Sequence, residues 1–296
     1  MIYLPKAIPA VAQLRTEGYD VSEYESAASS DGLPVGTLKI LLLNLMPKKA
    51  ETELDISRML ACGTKDVALL PMKIAGQTYK TTPMAHMSAF YKDFDEYASG
   101  SYDGLVVTGA PVEHLPFESV RYWTELCLIF DWAKSHVRST LCICWGAQAA
   151  LYHLYHIKKH PLPQKMFGVF EQRVLCPEAQ LMQGLSPSFP MPNSRHTSVS
   201  SADVTSAGLQ LLAESDESGF GVAQSVSGRF VFVVGHLEYH ASTLNDEYRR
   251  DVKRGLPIIP PRHYYIDDVP ERGFNFTWCK VAKHFYCNWL MLCGVK

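Results

Sequence analysis

Four short apolar runs, each followed by a loop and a segment that can form a helix, constrain this chain more than any other feature of its sequence. The runs are Leu38 to Leu43 (LKILLL), Val67 to Leu70, Gly104 to Val107 (GLVV) and Thr140 to Ile143. Nearly continuous apolar character, rather than alternation, fits strands covered on both faces, as in a parallel sheet between layers of helices. After the first run, the acidic stretch Glu51 to Asp55 leads a segment in which Leu54, Ile56, Met59 and Leu60 can share a face, so a helix is expected there. MAHMSAFYKDF after the second run, Val120 to His136 after the third and AQAALYHLYHI after the fourth supply the other expected helices. Such alternation predicts an α/β fold: an open, mostly parallel sheet flanked by helices, with ligands gathering beyond the carboxyl ends of its strands.

The second half is less periodic. EQRVLC and LQLLAES read as strands, GVAQSVSGRFVFVVG as a hairpin whose second arm is Phe230 to Val234, and PMPNSRHTSV as a loop. The proline-dense GLPIIPPRHYY should interrupt regular structure, and FYCNWLMLCG should close the chain as a helix that covers either its own sheet or a partner. No internal repeat or low-complexity tract divides the chain, so residues 1–296 are expected to form one domain with N- and C-terminal extensions against it.

Composition narrows the function classes. With 28 Lys+Arg against 30 Asp+Glu the formal charge is -2, which offers no field to hold a nucleic-acid backbone or an anionic membrane surface. A small-molecule substrate is expected instead. No run approaches the roughly 18 apolar residues a membrane span needs, and MIYLPKAIPAVAQLRTEGYD lacks the apolar core of an export signal, so the cytoplasm is the expected location. The eight cysteines are too few and too irregularly spaced for the staple set of a small secreted domain.

One of those cysteines stands where chemistry is expected. Cys144 directly follows the apolar run Thr140 to Ile143 and precedes Gly146 and an alanine-rich helix, the layout of a nucleophile elbow. N–H groups at the helix start can lower a thiol's pKa there and stabilise an oxyanion. Spacing alone also permits a buried structural thiol, which is how Cys142 reads. Cys142-x-Cys144 has no second close-spaced ligand pair, so no metal is expected. His236 and Glu238 follow the apolar strand Phe230 to Val234, and in extended backbone they point the same way. A histidine can activate the thiol, with the carboxylate fixing its tautomer. Lys48 and Lys49 after the first strand are candidates for binding an anion or are simply solvated. Arg249 and Arg250 lie in the candidate helix LNDEYRRDVKRG, where one can face the site while the other pairs with Glu247 or Asp251. Arg195 is a similar candidate in its expected loop.

Several blocks together resemble the homoserine O-acyltransferases, or homoserine transsuccinylases, whose fold is similar to that of class I glutamine amidotransferases. They are NLMPKKAETE (44–53), TP..H...FY (82–91), DGLVVTGAPVE (103–113), CWGAQAAL (144–151), Ser194-Arg195, Gly235-His236-x-Glu238-Tyr239, Arg250-Asp251 and Asn288-Trp289-Leu290. The likeness spans nearly the whole chain. It implies Cys144 as the acyl-accepting nucleophile, His236 as general acid and base, and Glu238 as the group orienting it. It also implies Lys49 near the acyl carbonyl, a Trp145 N–H in the oxyanion site and Arg250 on the amino-acid carboxylate. In the family a glutamate at the position of Glu113 accompanies acetyl-CoA use and a glycine accompanies succinyl-CoA use; a carboxylate there repels and displaces the distal carboxylate of succinate. The implied reaction is ping-pong acetyl transfer from acetyl-CoA, as co-substrate, to the side-chain hydroxyl of L-homoserine, serving methionine biosynthesis, with no bound cofactor.

The chain departs from the family pattern in places. Ala85 replaces the glutamate of Thr-Pro-x-Glu-His, Asn193 the histidine before Ser-Arg, and Leu237 and His240 the Pro and Asp of Gly-His-Pro-Glu-Tyr-Asp. Trp278-Cys279-Lys280-Val281 stands for the usual Trp-Arg-Ser-His. These changes keep open L-serine as acceptor, for cysteine biosynthesis, and succinyl-CoA as donor. Two other classes compete: a glutaminase on a related sheet, recognised by ammonia release from glutamine, and a metabolite-binding protein that binds without turnover. A homodimer is the default assembly.

Overall fold

The computed structural model describes residues 1–25, 32–61, 63–77, 79 and 81–294. The chain opens with β1 (Ile2–Pro5), α1 (Ala10–Thr16) and β2 (Val21–Tyr24), and continues with β3 (Leu38–Leu43), α2 (Lys49–Leu60) and β4 (Val67–Lys73). Next come α3 (Met84–Phe90), β5 (Lys92–Asp93), α4 (Phe94–Tyr97), β6 (Tyr102–Val107), α5 (Trp123–His136), β7 (Val137–Ile143) and α6 (Trp145–Tyr155). The second half holds β8 (His160–Val174), β9 (Ser188–Ser198), α7 (Ser201–Ser206), β10 (Gln210–Ser215), β11 (Gly219–Gln224), β12 (Phe230–Val233), α8 (Thr243–Lys253) and α9 (Cys279–Gly294).

One sheet runs through both halves in the order β2-β1-β4-β3-β6-β7-β12-β11-β10-β8-β9, with β5 beside β4. From β2 to β12 every neighbouring pair is parallel. From β12 to β9 every pair is antiparallel. The four apolar runs are the four adjacent strands β4, β3, β6 and β7, as their two-sided burial predicts. Successive residues of β3 divide between the faces: Ile40 and Leu42 join the layer formed with α1, α2 and α9, while Leu41 and Leu43 join the layer formed with α5 and α6. Apolar side chains at both parities are what a strand between two helical layers requires.

The structure corrects several details. The unit β1-α1-β2, unread in the sequence, extends the parallel edge; its strands are only four residues long. The helix expected over MAHMSAFYKDF stops at Phe90, and Lys92–Asp93 is a strand beside β4. The EQRVLC strand is the end of a much longer β8, and PMPNSRHTSV is not a loop but most of β9. Both strands carry prolines, Pro161 and Pro163 in one and Pro190 and Pro192 in the other, and β9 closes the sheet, where a missing N–H costs no ladder bond. Of the turn-rich stretch before β3, residues 29–31 lie outside those described, as do 78 and 80 in the polar segment after β4.

The closing helix α9 begins earlier than FYCNWLMLCG and lies on its own sheet. It buries Ala282, Phe285, Tyr286, Trp289, Leu290 and Cys293, and the Trp289 indole N–H donates to Ser139 Oγ of β7 at 3.1 Å. Its apolar face therefore needs no partner to cover it. Among the described residues no helix is long and apolar enough to cross a membrane.

Candidate active site

Cys144 occupies the single residue between β7 and α6. Its backbone has φ 52° and ψ −118°, a conformation that costs an L-residue of order 1–3 kcal/mol and persists only where its surroundings impose it. Three contacts impose it here. The Cys144 N–H donates to Val233 O at 2.7 Å, and its own carbonyl accepts from Ala147 and Gln148 at 3.1 and 3.2 Å. Gly146 lets the turn close, because a Cβ there would lie 2.6 Å from Thr108 O and 2.9 Å from Val107 O. The turn directs Cys144 toward the loop after β6: a Cβ on Gly109 would sit 3.2 Å from Cys144 Cβ and 3.7 Å from both its Sγ and His236 Cε1. Glycine keeps that space open above the sulfur. The Trp145 and Gly146 N–H groups begin α6, where no carbonyl of the helix itself can reach them.

Register brings the histidine to the thiol. Strand β12 pairs in parallel with β7, Val233 opposite Ile143, so both strands end at the same level. His236 follows three residues later, its N–H bonded to Pro192 O at 2.8 Å. Gly235 allows that crossing of β9, since a Cβ would be 2.7 Å from both Pro192 O and Met191 Cγ. His236 Nδ1 meets Glu238 Oε1 at 2.7 Å, which leaves Nε2 as the nitrogen available to the thiol beside it. Burial opposes the imidazolium, but negative charge on Cys144 and Glu238, together with the Glu238 hydrogen bond, outweighs it and raises His236 well above the usual histidine range. The Tyr239 ring stacks on the imidazole with centroids 4.0 Å apart and planes 12° apart. Behind the dyad, burial pushes Asp55 up to about 7 against the pull of Arg58, with Glu238 adding to the rise.

Lys49 opens α2 beyond the carboxyl end of β3 and is buried. Its Nζ donates to Asn44 O at 2.5 Å and Met46 O at 2.8 Å, and burial lowers it to about 8 with Glu53 opposing. The sequence reading missed the network that holds this corner. Asn44 Nδ2 donates to Lys49 O and to Tyr91 Oη at 3.2 and 3.0 Å, Tyr91 donates to Glu53 Oε1 at 2.5 Å, and His86 Nε2 meets the same oxygen at 2.8 Å. His86 and Tyr91 stand in the block TP..H...FY; only the fold shows what they hold.

The three arginine candidates separate. Arg195 is fully buried in β9, with Nε donating to Asn193 Oδ1 at 3.0 Å, Nη1 to Thr197 O at 3.0 Å and Nη2 to Ser218 O at 2.5 Å. Burial lowers it to about 10, partly offset by Cys144 and Glu113. Arg249 is exposed and lies over the Tyr248 ring at 5.9 Å. Arg250 pairs with Asp251 at 2.7 and 2.9 Å and reaches Glu247 Oε1 at 3.4 Å. Glu247 is the centre of a group that sequence reasoning did not find: it also accepts from Lys165 Nζ at 2.8 Å and Ser194 Oγ at 2.8 Å. Tyr239, which covers His236, is raised first by burial and then by the Glu247 charge. Glu113 lies in the loop after β6, its Oε2 accepting the His196 N–H of β9 at 2.6 Å. Among the described residues no group of three or more His, Cys, Asp or Glu could hold a metal ion.

The departures fall into two kinds. Asn193 and Leu237 are buried, Asn193 as the acceptor for Arg195, whereas Ala85 and His240 are exposed and Cys279 begins α9.

A family profile described as Homoserine O-succinyltransferase matches residues 1–295. The chain belongs to this family of acyltransferases. It is 46% identical over 288 residues to the homoserine O-acetyltransferase of Bacteroides thetaiotaomicron, covering 97% of this chain and 93% of that one. Identity to the homoserine O-acetyltransferase of Parabacteroides distasonis is 47%, over 97% of this chain and 92% of that one. Solved structures show the same sheet at much lower identity. A glutamine amidotransferase from Thermotoga maritima superposes with a TM-score of 0.58 at 13% identity, covering 88% of this chain and 99% of that one. A second glutamine amidotransferase, from Methylobacillus flagellatus, superposes with a TM-score of 0.56 at 10% identity, over 89% and 96% of the two chains. The expected fold, an open and mostly parallel sheet flanked by helices as in the glutamine amidotransferases, is thus the fold observed.

Proposed function

We propose that the chain transfers an acetyl group from acetyl-CoA to the side-chain hydroxyl of L-homoserine through an acyl-enzyme on Cys144. The observation that carries this reading is the strained Cys144 held against a buried His236 whose far nitrogen is occupied by Glu238. The Cys144 sulfur attacks the thioester carbonyl. The N–H groups of Trp145 and Gly146 face the developing oxyanion, and coenzyme A leaves as its thiol with the proton from His236. His236 then takes the proton of the acceptor hydroxyl, whose oxygen attacks the acyl-cysteine; the ester departs and the thiol is restored. Two of the three Lys49 N–H bonds hold backbone carbonyls, which leaves one for the acyl oxygen.

For the acceptor, the group formed by Glu247, Arg250, Lys165 and Ser194 presents both charges that an amino acid's ammonium and carboxylate require. For the donor, Glu113 supports acetyl over succinyl, because a second carboxylate beside it is unfavourable. The test is the initial rate of coenzyme A thiol release from acetyl-CoA with L-homoserine or L-serine added. Release stimulated mainly by homoserine supports the reading. Release stimulated mainly by serine assigns the buried departures at Asn193 and Leu237 to a rebuilt acceptor pocket, and release from succinyl-CoA alone overturns the donor assignment.

A further inference from the structure

Glu113 lies on a stretch of chain with little support of its own. Between Ala110 and Phe117 the backbone makes two short turns, Val112 N–H to Ala110 O at 2.9 Å and Leu115 N–H to Val112 O at 3.0 Å, and residues 114–116 are exposed. A carboxylate that selects between acyl groups has to stay within a fraction of an ångström of its place. The His196 N–H fixes one oxygen of the carboxylate, but nothing in that contact fixes the backbone from which the side chain springs.

A second group does. Lys159, in the short connection between α6 and β8, reaches over the loop and donates to Glu113 O at 2.5 Å and Leu115 O at 2.7 Å, while its ammonium lies 4.5 Å from the centre of the Phe117 ring. The carbonyl of the selecting residue, the carbonyl two residues on and the first buried side chain after the loop are thus tied to one cation. The tie also leads to the reacting centre, because Phe117 lies against the Trp145 ring with centroids 5.7 Å apart and stacks on Tyr152 of α6 at 4.8 Å. Lys159 is half-buried. Burial lowers it, and the Glu113 and Glu118 charges oppose that fall.

We infer that Lys159 is a positioning residue for acyl-donor selection: it clamps the Glu113 loop against α6 so that the carboxylate stands where a succinyl carboxylate would enter. Without the ammonium the loop keeps its two internal turns and the contacts of Glu113 and His114 with His196, its backbone carbonyls lose their tie to α6, and Glu113 excludes a charged donor less well. This inference rests on the donor reading of Glu113 given above, and the experiment separates the two.

The measurement is the ratio of kcat/KM for acetyl-CoA to that for succinyl-CoA in the full chain, for wild type, Glu113→Gly, Lys159→Met and Lys159→Arg. Glu113→Gly is expected to lower the ratio by at least about tenfold, the scale of one lost charge repulsion. Lys159→Met is expected to lower it by about three- to tenfold, with succinyl-CoA gaining through KM, and Lys159→Arg, which keeps the charge and the donors, to restore at least half of that change. Combined with Glu113→Gly, Lys159→Met should change the ratio by less than about twofold, because it acts through the carboxylate. If Glu113→Gly leaves the ratio unchanged, the donor reading fails and the Lys159 role with it. If Glu113→Gly lowers the ratio but Lys159→Met does not, or if Lys159→Met changes it equally with and without Glu113, the clamp is wrong and the donor reading stands. Where Lys159→Met is not recovered folded, Lys159→Gln, which keeps a shorter amide donor group without the charge, is read by the same ratio.

Discussion

The parallel and antiparallel halves of the sheet carry different parts of the candidate site. The parallel half ends its strands at one level, and Cys144, Gly109 and Lys49 all lie beyond those ends. The antiparallel half has no such edge. Strands β8 and β9 instead bring Lys165, Ser194 and Arg195 along their length, and β9 supplies the backbone groups that receive His236 and Glu113. Between them, β12 is parallel to β7 on one side and antiparallel to β11 on the other, and His236 follows it. On the proposed mechanism Cys144 and Lys49 therefore come from the edge where parallel strands end, whereas the groups that discriminate among substrates, Glu113 in the loop after β6 and Glu247 on α8, are held in place from the antiparallel flank by His196, Lys165 and Ser194.

If this division holds, damage on the parallel side should remove chemistry. Cys144→Ala is expected to lower turnover by about 10⁴-fold, the scale for loss of a nucleophile, and to leave no acetyl mass adduct after incubation with acetyl-CoA. An adduct of normal yield on the variant would place the acyl group elsewhere. Damage inside the antiparallel flank should instead cost stability. Arg195→Met strands Asn193 Oδ1 and Ser218 O in the interior and leaves Thr197 O with Gln148 Nε2 alone, and is expected to destabilise the fold by about 3 kcal/mol. The midpoint of denaturant unfolding measures this; an unshifted midpoint would make Arg195 a substrate group rather than a structural one.

Two smaller effects sharpen the division. Glu247→Gln should raise KM for the amino-acid acceptor by about thirtyfold, with the loss confined to the second half-reaction. Slower release of coenzyme A in a single turnover without acceptor would instead place Glu247 in the donor half. The last effect is a pH limb. Burial lowers Lys49 to about 8, so its charge is present below that pH and is lost as pH rises through it. Acyl-enzyme formation in the wild type should fall by up to about tenfold between roughly pH 7 and 9, and Lys49→Met should lack that limb on a lower plateau. A limb that persists in the variant belongs to another group.

The parallel half is legible because burial between two helical layers writes itself into four apolar runs, and because a polar residue followed by glycine at the end of such a run admits few structures. Cys144, His236 and Glu238 follow from that pattern, and the structure places them in contact. The antiparallel flank is poorly legible. Strand β9 carries Pro190, Pro192, Asn193 and Ser194 in a row broken only by Met191, and local propensity turns such a segment into a loop; only its place at the end of the sheet makes it a strand. Arg195 accordingly reads as a loop residue available to substrate, whereas the fold gives each of its three guanidinium nitrogens a buried acceptor. Glu247 reads only as a helix partner for an arginine, and its contacts with Lys165 and Ser194 span 82 and 53 residues of chain.

What the sequence determined by itself is the class of sheet, the elbow and the candidate nucleophile, base and orienting carboxylate, because each depends on a short segment whose hydrophobic pattern or backbone demand is local. Only the tertiary structure decided that His236 and Cys144 share a site, since that follows from β12 pairing in parallel with β7 across nearly a third of the chain. It alone decided which arginine is enclosed by the fold, which carboxylate gathers the charged groups and which lysine holds the Glu113 loop. Those assignments depend on distances between segments remote in sequence, and a charged residue written in a chain carries no mark of the partner that burial will impose on it.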